Sequence, residues 1–242
     1  SWMSSAMKLP RNRAEEIALH LEEIRSTIPE GARLVAVSKF HPAEDIRHAY
    51  AAGQRLFGES RVQELMQKWE ELHEPCPDIV WHLIGPLQTN KVKYLAPFID
   101  LIESVTSERL LLEICKQAQR VERTIPILLE VHVAREETKS GFSPEELREL
   151  LTKIQASPET YRGVELRGLM AMASNVEDTA QIEGEFALVR QLHEELRTSG
   201  LLVHPELFTE LSMGMSGDYP LALRQGATLV RIGSAIFGQR VY

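Results

Sequence analysis

A lysine placed directly after a buried apolar run is a candidate for amine chemistry, and Val35-Ala36-Val37-Ser38-Lys39 supplies one. Two later segments, Leu211-Ser212-Met213-Gly214-Met215-Ser216 and Val230-Arg231-Ile232-Gly233-Ser234, combine hydroxyls with glycine at the end of an apolar run and ahead of a helix. Glycine and serine at a helix N-terminus expose backbone N–H groups, and the helix dipole favours a dianion there. A lysine facing such a phosphate cradle is what an aldehyde carrying a phosphate requires, since the amine takes the carbonyl and the cradle takes the charge. Singly, Lys39 reads as a solvated helix-start residue and each Gly/Ser segment as a turn and cap; in combination they favour phosphate. Arg231, a guanidinium inside an apolar strand, needs a partner. That partner is a carboxylate such as Glu210 or Glu103, or the pyridine nitrogen of such a cofactor, which an arginine would leave unprotonated.

Other polar residues at strand ends are less specific. Glu59 and Ser60 follow the second strand, and Glu103 and Ser104 follow the fourth. His82, inside the third, reads as a hydrogen-bonded core histidine ahead of a catalytic base. Met170 and Met172 read as core or pocket lining. No cluster with metal-ligand spacing occurs.

These residues must be positioned by the elements that carry them, and the chain alternates short apolar runs with longer amphipathic stretches. After a first helix over roughly 13 to 27, eight strands are expected: Leu34–Val37, Arg55–Phe57, Ile79–Ile84, Ile99–Ile102, Ile125–Val131, Leu166–Met170, Leu207–Leu211 and Thr228–Ile232. Stretches such as Glu145 to Gln155 and Asp178 to Thr198 repeat apolar residues every three or four positions and read as outer helices. Apolar strands joined by crossovers of this size make a parallel sheet. Eight such units favour a closed α/β barrel, a single (β/α)8 TIM-type barrel with an extra N-terminal helix. The rival, an open doubly wound sheet, is weakened by the lack of GxGxxG after the first strand. In a barrel the strand-to-helix loops converge on one mouth, and phosphate is commonly held after strands seven and eight.

At 242 residues the chain has the length of one barrel, with residues 12–242 as the domain and residues 1–11 as a tail or cloning remnant. The polar loop Ala134 to Gly141 is expected to be mobile. A net charge of −8 argues against nucleic acid or anionic lipid as a partner and leaves a small molecule. Two unrelated cysteines, Cys76 and Cys115, suggest neither a disulfide framework nor zinc and fit a reduced, cytoplasmic compartment. No apolar stretch approaches the ~20 residues that cross a bilayer.

Four motifs carry a resemblance: Gly58-Glu59-Ser60-Arg61-Val62-Gln63-Glu64, Trp81 to Lys91 (WHLIGPLQTNK), Lys139-Ser140-Gly141-Phe142 and Leu211 to Asp218 (LSMGMSGD). In order, from about Ala32 to Gly238, they resemble the pyridoxal-phosphate homeostasis proteins, relatives of the N-terminal barrel of alanine racemase. The resemblance implies pyridoxal 5′-phosphate as cofactor, carried as a Schiff base on Lys39. It further implies that Ser212 with the Gly233 and Ser234 backbone holds the phosphate and that Arg231 faces the pyridine nitrogen; Met213 is expected among the cofactor-binding residues, with Glu59, His82 and Met170 behind them. The family usually has Asn where this chain has Ser60, so no cofactor contact is carried over to that position.

What the family does, by the same resemblance, is bind, store or deliver pyridoxal phosphate in intracellular vitamin B6 and amino-acid homeostasis without robust turnover. Apoenzymes that use the cofactor are then candidate recipients, and a monomer is the expected state. An amino-acid racemase or lyase would need the same Lys39. Alanine racemase also uses a tyrosine from a second domain, for which a barrel filling 242 residues leaves no room. A phosphate-sugar aldolase would be expected to carry its lysine nearer strand six.

Overall fold

The computed structural model describes residues 9–134 and 140–239. Residues 1–8 of the expected tail and 135–139 of the polar loop, Lys139 included, lie outside that description. Eight parallel strands close into a barrel in sequence order: β1 (Arg33–Val37), β2 (Leu56–Glu59), β3 (Val80–Leu83), β4 (Leu101–Val105), β5 (Ile125–Glu130), β6 (Val164–Met170), β7 (Glu210–Met215) and β8 (Leu229–Ile232). The ring closes between its first and last strands, with Val35 opposite Arg231.

Strand periodicity sorts the side chains. Leu34 and Ala36 of β1, Ile102 of β4, Ile127 and Leu129 of β5, and Val230 and Ile232 of β8 pack outward beneath the helices. Val35, Leu101, Leu128 and Leu229, each one position away, join Leu56 and Met170 in a separate apolar cluster inside the barrel. Both faces of most strands are therefore buried, which is why those strands are continuous apolar runs; β6 is the exception, its first four residues, Glu165 and Arg167 among them, being only partly buried.

The outer layer comprises α1 (Arg13–Arg25), α2 (Ala43–Ala51), α3 (Val62–Leu72), α4 (Val92–Leu95), α5 (Glu108–Arg120), α6 (Pro144–Ala156), α7 (Thr179–Thr198), α8 (Tyr219–Arg224) and α9 (Ser234–Phe237). In α5 the buried positions Leu110, Leu111, Ile114, Cys115 and Ala118 form the stripe expected of a helix covering a sheet. α6 begins with a Ser143/Glu146 capping box and Pro144 in the first turn. The extra helix α1 bridges the first and last units: Arg13 donates to Asp45 Oδ2 at 2.8 Å and to the Phe237 carbonyl at 2.6 Å.

Every strand shifts by a residue or more from its expected bounds, and the fourth and seventh shift furthest. The fourth runs Leu101–Val105 rather than 99–102, because Phe98 and Ile99 donate back to the Leu95 carbonyl and finish the preceding turn. Glu103 and Ser104 are thus inside the strand. The seventh runs Glu210–Met215 rather than 207–211: Pro205–Leu207 form a single tight turn, and Phe208 is buried against the His193 ring at 4.9 Å. Gly168 takes φ +151°, and a Cβ there would lie 1.8 Å from the Glu210 carbonyl, so β6 and β7 approach this closely only through glycine. Among the described residues no helix is long and apolar enough to cross a membrane.

Candidate functional site

Inward-facing side chains form three levels. The apolar cluster at Val35, Leu56, Leu101, Leu128, Met170 and Leu229 makes the floor. Above it lies a polar layer in which almost every group has a partner. Glu103 Oε2 accepts from His82 Nδ1 at 2.7 Å, and Ser212 Oγ donates to Glu103 Oε1. Arg231 Nη1 donates to Ser212 Oγ at 2.5 Å and lies 3.6 Å from Glu103 Oε1, while Nη2 donates to the Ala171 carbonyl at 3.1 Å. Burial alone would push the Glu103 carboxyl up. The His82, Arg231 and Ser212 contacts together outweigh it and hold the group below the ordinary carboxylate value. An ionised Glu103 makes His82 Nδ1 the protonated nitrogen of its ring.

The third level is a cavity of about 410 Å³ at the carboxyl ends of the strands. Lys39 enters it two residues beyond Val37, on the inward alternation of β1; Arg231 forms its base, and Ser60, Ile84 and Met172 line its other walls. Ser216, Gly217, Gly233 and Ser234 line the side where β7 and β8 end. Gly233 N donates to Ser216 Oγ at 3.4 Å, and a Cβ on Gly233 would lie 3.1 Å from the Val37 carbonyl. Ile236 is the first amide of α9 to find a partner in its own turn, the Gly233 carbonyl, so the amides before it have no intrahelical acceptor. An amine, a hydroxyl-and-amide cradle and a guanidinium thus converge on one mouth, where barrels carry their chemistry.

Lys39, Arg231, Gly233 and Ser234 line this one cavity, whereas Ser212 and Met213 do not. Ser212 is fully buried in β7, and its hydroxyl is committed to Glu103 and Arg231 instead of lining the cavity. Met213 shares the outward face with Leu211 and packs beneath the helices, so its side chain is not at the site. Both shifts follow from β7 continuing to Met215: the cavity hydroxyl is Ser216, visible in the sequence only once the strand end is known. Arg231 takes Glu103 as its carboxylate, while Glu210 pairs with Arg33 at 2.5 Å. His82 and Met170 sit below the cavity. Glu59, between the inward-facing positions 58 and 60, faces outward to α3, where burial raises its carboxyl to about 7. Ser60 and His41 line the cavity although sequence reasoning assigned neither a contact; His41 is buried, and its Nδ1 has no hydrogen-bond partner.

The family model of the alanine racemase N-terminal domain matches residues 13–241, essentially the whole of this eight-stranded parallel barrel, and the chain belongs to that family. Within the family its relatives are pyridoxal phosphate homeostasis proteins. That of Aquifex aeolicus is 38% identical over 237 residues, covering 96% of this chain and all of the relative. The structure of PipY from Synechococcus elongatus PCC7942 without PLP has a TM-score of 0.84 at 41% identity, and that of PipY with PLP bound has 0.81 at 39%. Each covers 92% of this chain and all of the other.

Proposed function

We propose that this chain binds pyridoxal 5′-phosphate in the β-strand mouth, holding it as a Schiff base on Lys39, and serves cytoplasmic vitamin B6 and amino-acid homeostasis without robust turnover. The observation that carries this reading is the convergence of Lys39, Arg231, Ser216 and the Gly233–Ser234 turn on one cavity of cofactor size. The donor set fits the group: a primary amine for the aldehyde, a hydroxyl and backbone amides for the phosphate, and an arginine for the ring nitrogen. The PLP-bound PipY structure and the shared relatives support the same cofactor.

Pyridoxal phosphate supplies a carbonyl that captures amines and a ring that withdraws electrons from them. This chain's residues temper that chemistry. Arg231, fixed by Ser212, Ala171 and the charge of Glu103, would meet the ring nitrogen as a hydrogen-bond donor and so would leave it unprotonated, a poor electron sink. Gly233 lets the backbone of β8 come close to Val37, so the cradle and the amine share one narrow mouth. Lys39 and His41 both rise from the loop after β1, the same side of the cavity, whereas racemisation needs proton transfer on two opposite faces. In this reading the cofactor is held for apoenzymes that require it, by a chain that acts as a monomer.

The test is the absorption spectrum of protein incubated with pyridoxal phosphate, before and after borohydride. A band near ~420 nm and covalent trapping on Lys39 are expected. Lys39→Ala should lose both; a band that survives in that variant, with trapping on another lysine, would move the site.

A further inference from the structure

Behind Lys39, on the outer side of the barrel wall, a cluster of charges is buried where the cavity does not reach. Glu59 at the end of β2 is fully buried between that strand and α3. Lys68 of α3, 5% exposed, donates from Nζ to Glu59 Oε2, to Glu64 Oε2 and to the Ser38 carbonyl, each at 2.8 Å. Ser38 Oγ donates to the same Glu59 oxygen. Glu64 Oε2 also accepts from the Phe40 amide at 2.6 Å. The residues before and after Lys39 are therefore both tied to one ammonium, directly on one side and through a single carboxylate on the other.

The loop they hold is not one that would form unaided. Phe40 has φ +67°, a left-handed conformation uncommon for a bulky side chain, and the Arg61 guanidinium lies 4.8 Å over its ring. A Glu–Lys pair four residues apart on a helix normally lies on a solvated face. Here it is turned inward, and replacing buried ions by packed apolar groups of similar size often costs nothing in stability. Net stabilisation is thus a weak reason for the cluster. Geometry is a better one, because an ammonium with three fixed acceptors defines where residues 38 and 40 must lie.

We propose that Lys68 is the positioning residue for Lys39: with Glu59 and Glu64 it clamps the peptide on both sides of that lysine and so holds its amine at the cavity mouth. This rests on the reading of Lys39 as the attachment point. It predicts that loosening the clamp frees the loop and slows capture of the aldehyde, with the phosphate cradle untouched.

The experiment uses the full chain with Lys68→Met, Glu64→Leu, Glu64→Gln and, as a destabilised control far from the loop, Leu192→Ala in α7. Three quantities are read: amide hydrogen exchange over residues 38 to 41 in protein freed of cofactor, the rate and extent of attachment of added pyridoxal phosphate by absorbance, and the melting temperature. Lys68→Met and Glu64→Leu should speed exchange at Phe40 and weaken attachment by about tenfold or more, the scale of one lost charge-assisted hydrogen bond. Glu64→Gln, which keeps an acceptor for the Phe40 amide, should recover most of both. Leu192→Ala should lower melting and leave exchange at Phe40 and attachment unchanged. Wild-type exchange and attachment in Lys68→Met would overturn the proposal, as would equal losses in Leu192→Ala. If Lys68→Met does not fold, the contrast between Glu64→Leu and Glu64→Gln decides by the same criteria. Should Lys39→Ala still form the absorbing species, the attachment reading fails, while exchange in the cofactor-free protein still reports on the clamp.

Discussion

Replacing Glu103 by Gln tests the polar layer on which the site stands. The carboxylate is wholly buried and faces His82 Nδ1 at 2.7 Å, the Ser212 hydroxyl, and Arg231 at 3.6 Å. At that separation, with an effective dielectric near 20, the Glu103–Arg231 attraction is about 4 to 5 kcal/mol. Its loss leaves Arg231, 3% exposed, with Ser212 and the Ala171 carbonyl as its acceptors among the described residues. Removing one partner of a buried pair typically costs about 3–5 kcal/mol, because the surviving ion stays desolvated. The new amide also turns a donor toward groups that are already donors. Urea unfolding at neutral pH, without cofactor, should therefore show a loss of about 3–5 kcal/mol, a large part of the roughly 5–15 kcal/mol typical of a folded domain. In an Arg231→Met background the same Glu103→Gln change should cost under about 1.5 kcal/mol, the difference being the coupling. The reasoning would be refuted by equal costs in the two backgrounds, or by a loss below about 1 kcal/mol in an otherwise native Glu103→Gln protein.

Three further outcomes are expected. Ser216→Ala should weaken pyridoxal phosphate binding by roughly 1.5–3 kcal/mol, whereas Ser212→Ala should lower stability by about 1–3 kcal/mol by unpairing buried groups and affect binding less; titrations and urea melts of both variants separate the roles. His193, stacked on Phe208, is held neutral by burial, which lowers its pKa from 6.5 to about 4. A depressed folded-state value contributes stability that is complete above pH 6.5 and is lost as the pH falls toward 4, by roughly 3 kcal/mol in all. His193→Phe should abolish that share of the acid loss, read as the difference between the two proteins' unfolding free energies across this range. Incubated with L-alanine in deuterated water, the loaded protein should exchange and racemise more slowly than about 1 s⁻¹, and a Lys39-dependent rate above that would favour the racemase.

Much of the architecture is legible in local pattern. Strands show as apolar runs because both of their faces are buried. Helices such as Pro144–Ala156 and Thr179–Thr198 show as stripes bounded by caps at Ser143 and Asp178. Lys39 stands out because a lysine ends a run that is otherwise closed to charge, and Gly233 because the cradle reading needs a bare backbone there. These features depend on neighbours a few residues apart, and a single sequence records them.

What the tertiary structure alone decided is which distant groups meet. Nothing local separates Glu103 from Glu210 as the partner of Arg231; closing the barrel brings Glu103 in across its interior and turns Glu210 to Arg33. The two-residue period of a strand makes a small error in its end decisive. Extending β7 to Met215 turns Ser212 into the polar layer, Met213 outward and Ser216 into the cavity. The same alternation sends Glu59 out of the barrel to Lys68, a contact between a strand and the following helix that sequence spacing does not distinguish from a solvated pair. The residue types that could hold an aldehyde and a phosphate are thus written in the chain, but their register is set by strand pairing around a closed ring, where every strand's position depends on all the others.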